Sequence, residues 1–229
     1  MSQPLRWAPP GERRAWSVER FDGPLSARLG HRIAAHGVRP VVDGLLRTRF
    51  DVRIENGPAP RRSVVVSRHV SYWDPALIAL VDVRIKPLGN EEWFRHGLIG
   101  WYARNLRALP NDLAGLRRAL IHLRRDGIVW MAPAGYTAFE RRPPRPGAWR
   151  LACLADASLV AVTIDGLDDI PLLMPPKQVR RRRVTIRFGA AHELSSSMPA
   201  AERELAWRAV LRDAGVPDDC APDSGCVCA

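Results

Sequence analysis

The sequence predicts an α/β fold: a single domain with a mixed, mostly parallel sheet flanked by helices, preceded by an N-terminal helical segment. Three short runs rich in β-branched and apolar residues, 63–67, 128–132 and 159–164, are typical of buried strands. Helical patterns of about 10–15 residues separate such runs, and this alternation favours parallel connections. A chain of 229 residues is long enough to bury one such core without disulfides or metals.

The remaining elements continue the alternation along the chain. Further strands are predicted at 50–54, 84–88 and 184–188, and a loop rich in proline and arginine at 134–147. Helical patterns cover 74–81, 91–106, 111–125, 148–157 and 200–214. Asn111 or Asp112 is expected to cap the helix that ends before Gly127, because a side-chain oxygen there accepts from the first helical N–H groups.

Four parts are predicted along the chain. Residues 1–24 form a polar arm, 25–48 an amphipathic helical segment, 49–215 the main domain and 216–229 a flexible tail. In the helical segment, arginines alternate with apolar residues at helical spacing, namely Leu25, Leu29, Ile33, Val38, Val42 and Leu45. This pattern favours a helix, or a helical pair broken at Gly37 and Pro40, that packs on the core. The alternative is a basic amphipathic element lying on a membrane surface.

The charge balance predicts a partner of negative charge. The formal net charge is +11, and every basic residue except Lys86 and Lys177 is an arginine. Nucleic acid, an anionic membrane face and an acidic carrier protein all qualify. A nucleic-acid-binding module is disfavoured, because the sequence has no helix-turn-helix signal, zinc spacing or aromatic strand pair of the RNA-binding kind.

The lack of a recognisable targeting signal and the placement of the cysteines indicate a protein of a reducing compartment. No run approaches the roughly 20 apolar residues of a membrane-spanning helix, and the N-terminus is unlike a signal peptide. We expect a cytoplasmic protein, with peripheral contact with the inner face of the cell membrane as an alternative. Cys153 fits an apolar helix, while Cys220, Cys226 and Cys228 fall in the tail without a histidine to complete a metal site.

The most informative segment is 67–75, which follows a predicted buried strand and precedes a predicted helix. His69 and Asp74 bracket this turn. If the turn folds back, the carboxylate accepts a hydrogen bond from one imidazole nitrogen, and the other nitrogen is placed to accept a proton. A structural hydrogen bond, or Asp74 acting as a helix cap before Pro75, are the alternatives. Neither Ser67 nor Ser71 lies in a nucleophile-elbow pattern, which favours direct transfer to an incoming hydroxyl or amine.

The same segment, read Ser-Val-Val-Val-Ser-Arg-His-Val-Ser-Tyr-Trp-Asp-Pro over 63–75, resembles the first motif of the glycerophospholipid acyltransferase superfamily, a histidine and an aspartate with four residues between them. Further resemblances follow in order over 41–194. Gly-Leu-Ile-Gly-Trp at 97–101 is similar to a later family segment. Met-Ala-Pro-Ala-Gly-Tyr-Thr at 131–137 stands in the place of Phe-Pro-Glu-Gly-Thr. Arg-Pro-Gly-Ala at 145–148 resembles Lys-Pro-Gly-Ala, and 159–164 resembles the last motif.

The resemblance implies a mechanism and a set of site residues. The family transfers an acyl group from a thioester, on coenzyme A or acyl carrier protein, to an acceptor hydroxyl, and 49–215 would be its acyltransferase domain. By analogy His69 is the general base and Asp74 orients it. Backbone amides near Gly135 are candidate donors to the oxyanion. The expected substrate-binding residues are Arg68, Trp73, Pro133, Ala134, Gly135, Tyr136 and Arg141, with no metal or bound cofactor.

Departures from the family pattern lie on the acceptor side. The positions of a family glycine and of a phosphate-holding arginine are Arg107 and Leu113, and the glutamate of Phe-Pro-Glu-Gly-Thr is Ala134. A site without that cation should bind a phosphorylated acceptor less well. This predicts an unusual acceptor, such as an amino lipid or a specialised metabolite, unless Arg68 or Arg141 restores phosphate binding. A catalytically degenerate lipid- or carrier-binding protein and a thioesterase-like hydrolase are the alternatives.

Overall fold

The computed structural model of the chain describes residues 29–30, 32–71, 73–82, 84–95, 97–105, 108–135, 143–167 and 181–216. Seven strands form one sheet in the order β1-β7-β6-β2-β5-β3-β4. The strands are β1 (Phe50–Glu55), β2 (Ser63–Val66), β3 (Ile85–Gly89), β4 (Leu109–Pro110), β5 (Ile128–Met131), β6 (Ser158–Asp165) and β7 (Arg182–Glu193). The α-helices are α1 (Arg39–Arg49), α2 (Asp74–Val81), α3 (Gly97–Asn105), α4 (Leu113–Arg124), α5 (Gly147–Ala155) and α6 (Ala200–Asp213).

The sheet is mixed and mostly parallel, as the sequence predicts. Strands β2 to β6 all run in one direction. Strand β7 runs antiparallel to β6, and β1 pairs with β7 in parallel. The carboxyl ends of β2, β5 and β6 therefore meet at one edge of the sheet, and the loops that follow these strands lie together there.

Alternate side chains of the central strands enter two separate hydrophobic cores, because successive residues of a strand point to opposite faces. Val64 and Val66 of β2 pack with residues of α4, α5 and α6, including Leu123, Ala152 and Trp207. Val65 enters the other core, which holds Leu46 of α1 together with Leu77 and Ile78 of α2. The sheet is thus covered on one face by α1 and α2 and on the other by α4, α5 and α6.

The N-terminal helical segment packs on the core less than predicted. Ile33–Val38 is a π-helical turn, and α1 continues from it to Arg49. Leu46 is buried, but Leu29, Ile33 and Leu45 are 59%, 48% and 41% exposed, so the expectation that they face the core is wrong. A π-helical turn winds through fewer degrees per residue than an α-helix. Apolar residues at α-helical spacing therefore do not stay on one face through 33–38. The nearby Val41 is exposed as well.

Most predicted boundaries agree with the structure within a few residues. Cys153 is a buried core residue, as expected. The side chain of Asp112, one of the two predicted caps, accepts a hydrogen bond from Gly115 N–H at the start of α4. A Cβ atom at Gly115 would collide with the Pro110 carbonyl, so glycine permits β4 and α4 to approach closely. In the described residues, no helix is both long and apolar enough to cross a membrane. The arm 1–24, the tail from 217 and Arg107 lie outside the described residues.

Candidate active site

The topology places two loops side by side at the carboxyl edge of the sheet. Strands β2 and β5 are neighbours. The loop after β2 leads into α2 on one face, whereas the loop after β5 leads towards α5 on the other face. Adjacent parallel strands whose connections leave to opposite faces open a crevice, and such crevices bind ligands in α/β sheets. The first loop carries His69, and the second carries Pro133, Ala134 and Gly135.

The side chains of His69 and Asp74 meet at this edge of the sheet. Nδ1 of His69 lies 2.8 Å from Oδ2 of Asp74, and both residues are buried. Oδ2 also accepts hydrogen bonds from the N–H groups of Val70 at 2.8 Å and Ser71 at 3.0 Å. An oxygen that accepts from two amides acts as an acceptor towards the ring as well. The proton of the neutral imidazole therefore resides on Nδ1, and Nε2 is the nitrogen with basic character.

Asp74 is not a conventional helix cap. It is the first residue of α2, and its Oδ2 accepts from N–H groups that precede the helix rather than from those of its first turn. The cap interpretation of this residue is therefore wrong. Its second oxygen, Oδ1, is buried and has no hydrogen-bond partner among the described residues. The residue thus fixes the turn that carries the histidine, as an orienting carboxylate must.

Trp130 of β5 also contacts the imidazole, a role that the sequence pattern did not predict. Its ring packs edge-on against His69, with the ring centroids 5.6 Å apart. Its Nε1–H donates to Oγ of the buried Ser67 at 2.9 Å. The contact joins residues more than sixty positions apart, and only the parallel pairing of β2 with β5 brings them together. The sequence does contain one signal for this contact: because side chains alternate along a strand, Trp130 of β5 is expected on the face of the sheet that α2 covers.

The loop after β5 forms a tight turn. Gly135 has φ +67°, in the left-handed region that favours glycine, and is exposed. Its own N–H donates to the carbonyl of Ala132 at 3.0 Å. The Gly135 amide is therefore committed to the turn, and any oxyanion donor in this loop has to be another group. Pro133 and Ala134 are buried, and the Pro133 carbonyl accepts from Arg145 N–H at 3.0 Å, which closes the loop at its base.

Two other predicted binding residues, Arg68 and Trp73, follow β2 at the same edge. Arg68 is exposed beside the histidine. Trp73 is half-buried and packs on Phe50, with a centroid distance of 5.8 Å. Leu113, at the start of α4, is 67% exposed. Tyr136 and Arg141 fall outside the described residues. Among the residues that the structure describes, no group of three or more His, Cys, Asp or Glu side chains is arranged to hold a metal ion.

Comparisons with known proteins agree with this architecture. Residues 49–165, slightly more than half of the chain, match the family described as Acyltransferase. The structure is similar to the crystal structure of the 1-acyl-sn-glycerophosphate (LPA) acyltransferase PlsC from Thermotoga maritima. The TM-score is 0.55 and the identity 18%, over 82% of this chain and 78% of that chain, a likeness that shows the fold. A comparison with curated proteins found no match. The predicted fold and resemblance are confirmed, and the chain belongs to the acyltransferase family.

Proposed function

We propose that this acyltransferase moves a fatty acyl group from an acyl thioester to a hydroxyl or amine, with His69 as general base and Asp74 as its orienting carboxylate. The observation that carries the proposal is the buried Nδ1 to Oδ2 contact of 2.8 Å at the carboxyl end of β2. Oδ2 also accepts hydrogen bonds from two backbone N–H groups, which hold the carboxylate where it can stabilise the imidazolium that forms during transfer.

Each proton and bond has a place in the reaction. Nε2 of His69 takes the proton of the acceptor O–H or N–H as the acceptor atom attacks the thioester carbonyl carbon. A tetrahedral oxyanion forms and collapses, the carbon–sulfur bond breaks, and the imidazolium returns its proton to the thiolate that leaves. The products are an ester or amide and a free thiol. Because the thioester already carries an activated acyl group, the proposal includes no bound cofactor.

The acceptor that we propose lacks a phosphate, in contrast to a lysophosphatidate. Leu113 occupies the place of the family's phosphate-holding arginine, and it is an exposed apolar residue at the start of α4. The neighbouring Asp112 is an acidic side chain committed to Gly115 N–H. An apolar residue beside a carboxylate disfavours a phosphate, which needs donors. Arg68 is the competing observation, since this exposed arginine precedes His69 directly in the chain.

Peripheral contact with the inner face of the cell membrane is part of the proposal. Leu29, Ile33, Val41 and Leu45 are exposed large apolar side chains on one short helical segment. Arg32 is exposed in the same segment and brings a positive charge to it. Exposed apolar side chains among basic ones suit an anionic leaflet, where the apolar groups enter the interface and the charges attract headgroups.

Mass spectrometry of donor turnover tests the chemistry. Purified protein and its His69→Ala variant are incubated with acyl-CoA or acyl carrier protein, with lysophosphatidate or with a mixed lipid extract as acceptor. Histidine-dependent thioester loss with a new acylated product is the expected result, and rapid acylation of lysophosphatidate would refute the proposed acceptor. Thioester loss that yields only free acid favours the thioesterase alternative. A folded protein that consumes no donor favours the degenerate binding alternative.

A further inference from the structure

The outer face of α4 is a basic surface with an apolar centre. Arg117, Arg118, Arg124 and Arg125 are all exposed, and their spacing places them on the same side of the helix as Ile121. Ile121 is itself 51% exposed, although a large apolar side chain in a helix normally packs inward. The four guanidinium groups thus surround an apolar residue that contributes nothing to the core.

The next helix enlarges this surface. Arg150 and Leu154 of α5 lie four residues apart on the same side of the helix, and both are exposed, Leu154 to 61%. Nη2 of Arg124 donates to the Leu154 carbonyl at 3.1 Å, which ties the two helices together at this point. We call the five arginines with Ile121 and Leu154 the α4–α5 face.

This face has an unusual charge balance. Neither α4 nor α5 contains an aspartate or a glutamate. Within the described residues, none of the five arginines forms an ion pair with a carboxylate. The acidic residues nearby lie just beyond the helix ends, where Asp126 pairs with Arg62 at 3.3 Å and Asp156 ends α5. Helix α6 is different, because Glu204 there pairs with Arg208 at 2.9 Å.

We propose that the α4–α5 face docks an acidic protein, namely the acyl carrier protein that delivers the thioester, through a carboxylate-rich helix with apolar residues among its acids. The inference rests on the proposed function, because it names the donor of that same site. Charge complementarity of this kind steers association and fixes orientation, while the two apolar side chains supply area that becomes dry on binding.

The position of the face suits delivery into the crevice. Helices α4 and α5 both begin at the carboxyl edge of the sheet and run away from it, because each connects to the amino end of a following parallel strand. Arg117 is about one turn from the start of α4, and Ile121 lies about 12 Å along the helix at 1.5 Å per residue. A carrier seated here lies on two helices whose first turns are at the edge of the sheet that holds His69.

The observations favour a protein over a bilayer as the occupant. The exposed apolar segment around Val41 lies on the sheet face of α1 and α2, opposite the layer of α4 and α5. If the protein binds a flat membrane through the layer of α1 and α2, the layer of α4 and α5 on the other face of the sheet points into the aqueous phase. The two apolar side chains of the α4–α5 face, which are surrounded by arginines, would also bury less apolar surface in a membrane than the four on the N-terminal segment.

The test compares three donors that carry the same acyl chain on acyl carrier protein, coenzyme A and pantetheine. The variant is Arg117→Glu/Arg125→Glu, two exposed positions that flank Ile121. The matched control is Arg53→Glu/Arg212→Glu, which makes the same charge change at exposed positions of β1 and α6. We expect kcat/KM with the carrier protein to fall by about tenfold or more in the variant only, mainly through KM, and to depend on salt. The other two donors should be unaffected.

Every other pattern overturns the proposal. Equal loss with all three donors means a damaged fold or site, and no loss means that the face has no role in docking. Loss with both coenzyme A and carrier protein, but not pantetheine, assigns the face to an anionic part of the donor. Loss of binding to anionic vesicles with unchanged carrier kinetics assigns it to a membrane. Direct binding of the carrier protein to the His69→Ala variant, measured by calorimetry, separates docking from catalysis. That binding is expected to survive even if the proposed chemistry fails, and its absence would also overturn the inference.

Discussion

Oδ2 of Asp74 lies 2.8 Å from Nδ1 of His69, and the same oxygen holds the backbone N–H groups of Val70 and Ser71. One atom therefore organises both the imidazole and the turn that carries it. The arrangement separates two roles that mutagenesis can distinguish. In the proposed mechanism the negative charge of the carboxylate stabilises the imidazolium during transfer, whereas the position of the oxygen keeps the turn folded.

Replacing Asp74 by asparagine tests the charge. Asparagine keeps one oxygen acceptor for the turn but removes the negative charge opposite the ring. We expect kcat to fall by about 10²–10⁴, because a base that is no longer stabilised in its protonated form transfers protons poorly. Steady-state kinetics with a single donor measures the loss, and circular dichroism confirms the fold.

Asp82→Asn is the matched control for this substitution. It makes the same chemical change at the other end of α2, where Asp82 forms a partly exposed pair with Arg84. Its kcat should stay within about twofold of the wild type, since Asp82 lies at the opposite end of α2 from the imidazole. An Asp74→Asn enzyme with wild-type kcat would restrict Asp74 to holding the turn.

Substitution of Trp130 tests the support behind the imidazole. Trp130→Phe keeps an aromatic ring but removes the Nε1–H that donates to Ser67 Oγ. The buried hydroxyl loses its donor, so we expect the free energy of unfolding to fall by about 1–3 kcal/mol and kcat to fall because the ring contact with His69 shifts. Urea denaturation and kinetics give the two values. Ser67→Ala and the double variant complete a cycle, and additive losses would show that the hydrogen bond does not couple the two residues.

Two glycines in helices should respond to alanine in opposite directions. A Cβ atom at Gly115 meets the backbone carbonyl of Pro110, whereas one at Gly44 in α1 meets nothing within 4 Å. Gly115→Ala should destabilise the fold by about 1–3 kcal/mol through overpacking. Gly44→Ala should stabilise it by up to about 1 kcal/mol, because alanine has the higher helix propensity. The urea concentration at the midpoint of unfolding measures both effects. Destabilisation by Gly44→Ala as well as by Gly115→Ala would contradict the explanation by Cβ contacts and helix propensity.

Vesicle binding should depend on the N-terminal segment. Val41 and Leu205 have nearly equal exposures of 71% and 70%, but Val41 lies on α1 and Leu205 on α6. Val41→Asp should weaken sedimentation with anionic vesicles several-fold, because a charge replaces an apolar group at the interface. Leu205→Asp should leave it unchanged. Equal effects of the two substitutions would place the membrane contact elsewhere.

The sequence predicted the sheet and the contact between His69 and Asp74 because both depend on local patterns. β-branched runs such as 63–67 identify strands, and the His69 to Asp74 spacing lies within one turn. The exposure of Leu29, Ile33 and Leu45 was not predictable in this way, because the π-helical turn changes the phase of the helix before α1 begins. The contact between Trp130 and His69 depends on the pairing of β2 with β5, which single-sequence periodicity does not reveal.

The loops after β2 and β5 belong to neighbouring strands but lead to helices on opposite faces of the sheet. The base is anchored in one layer, and the turn at Gly135 is anchored in the other. The two halves of the site are thus connected through the pairing of β2 with β5, and a change of register between these strands would displace one half relative to the other.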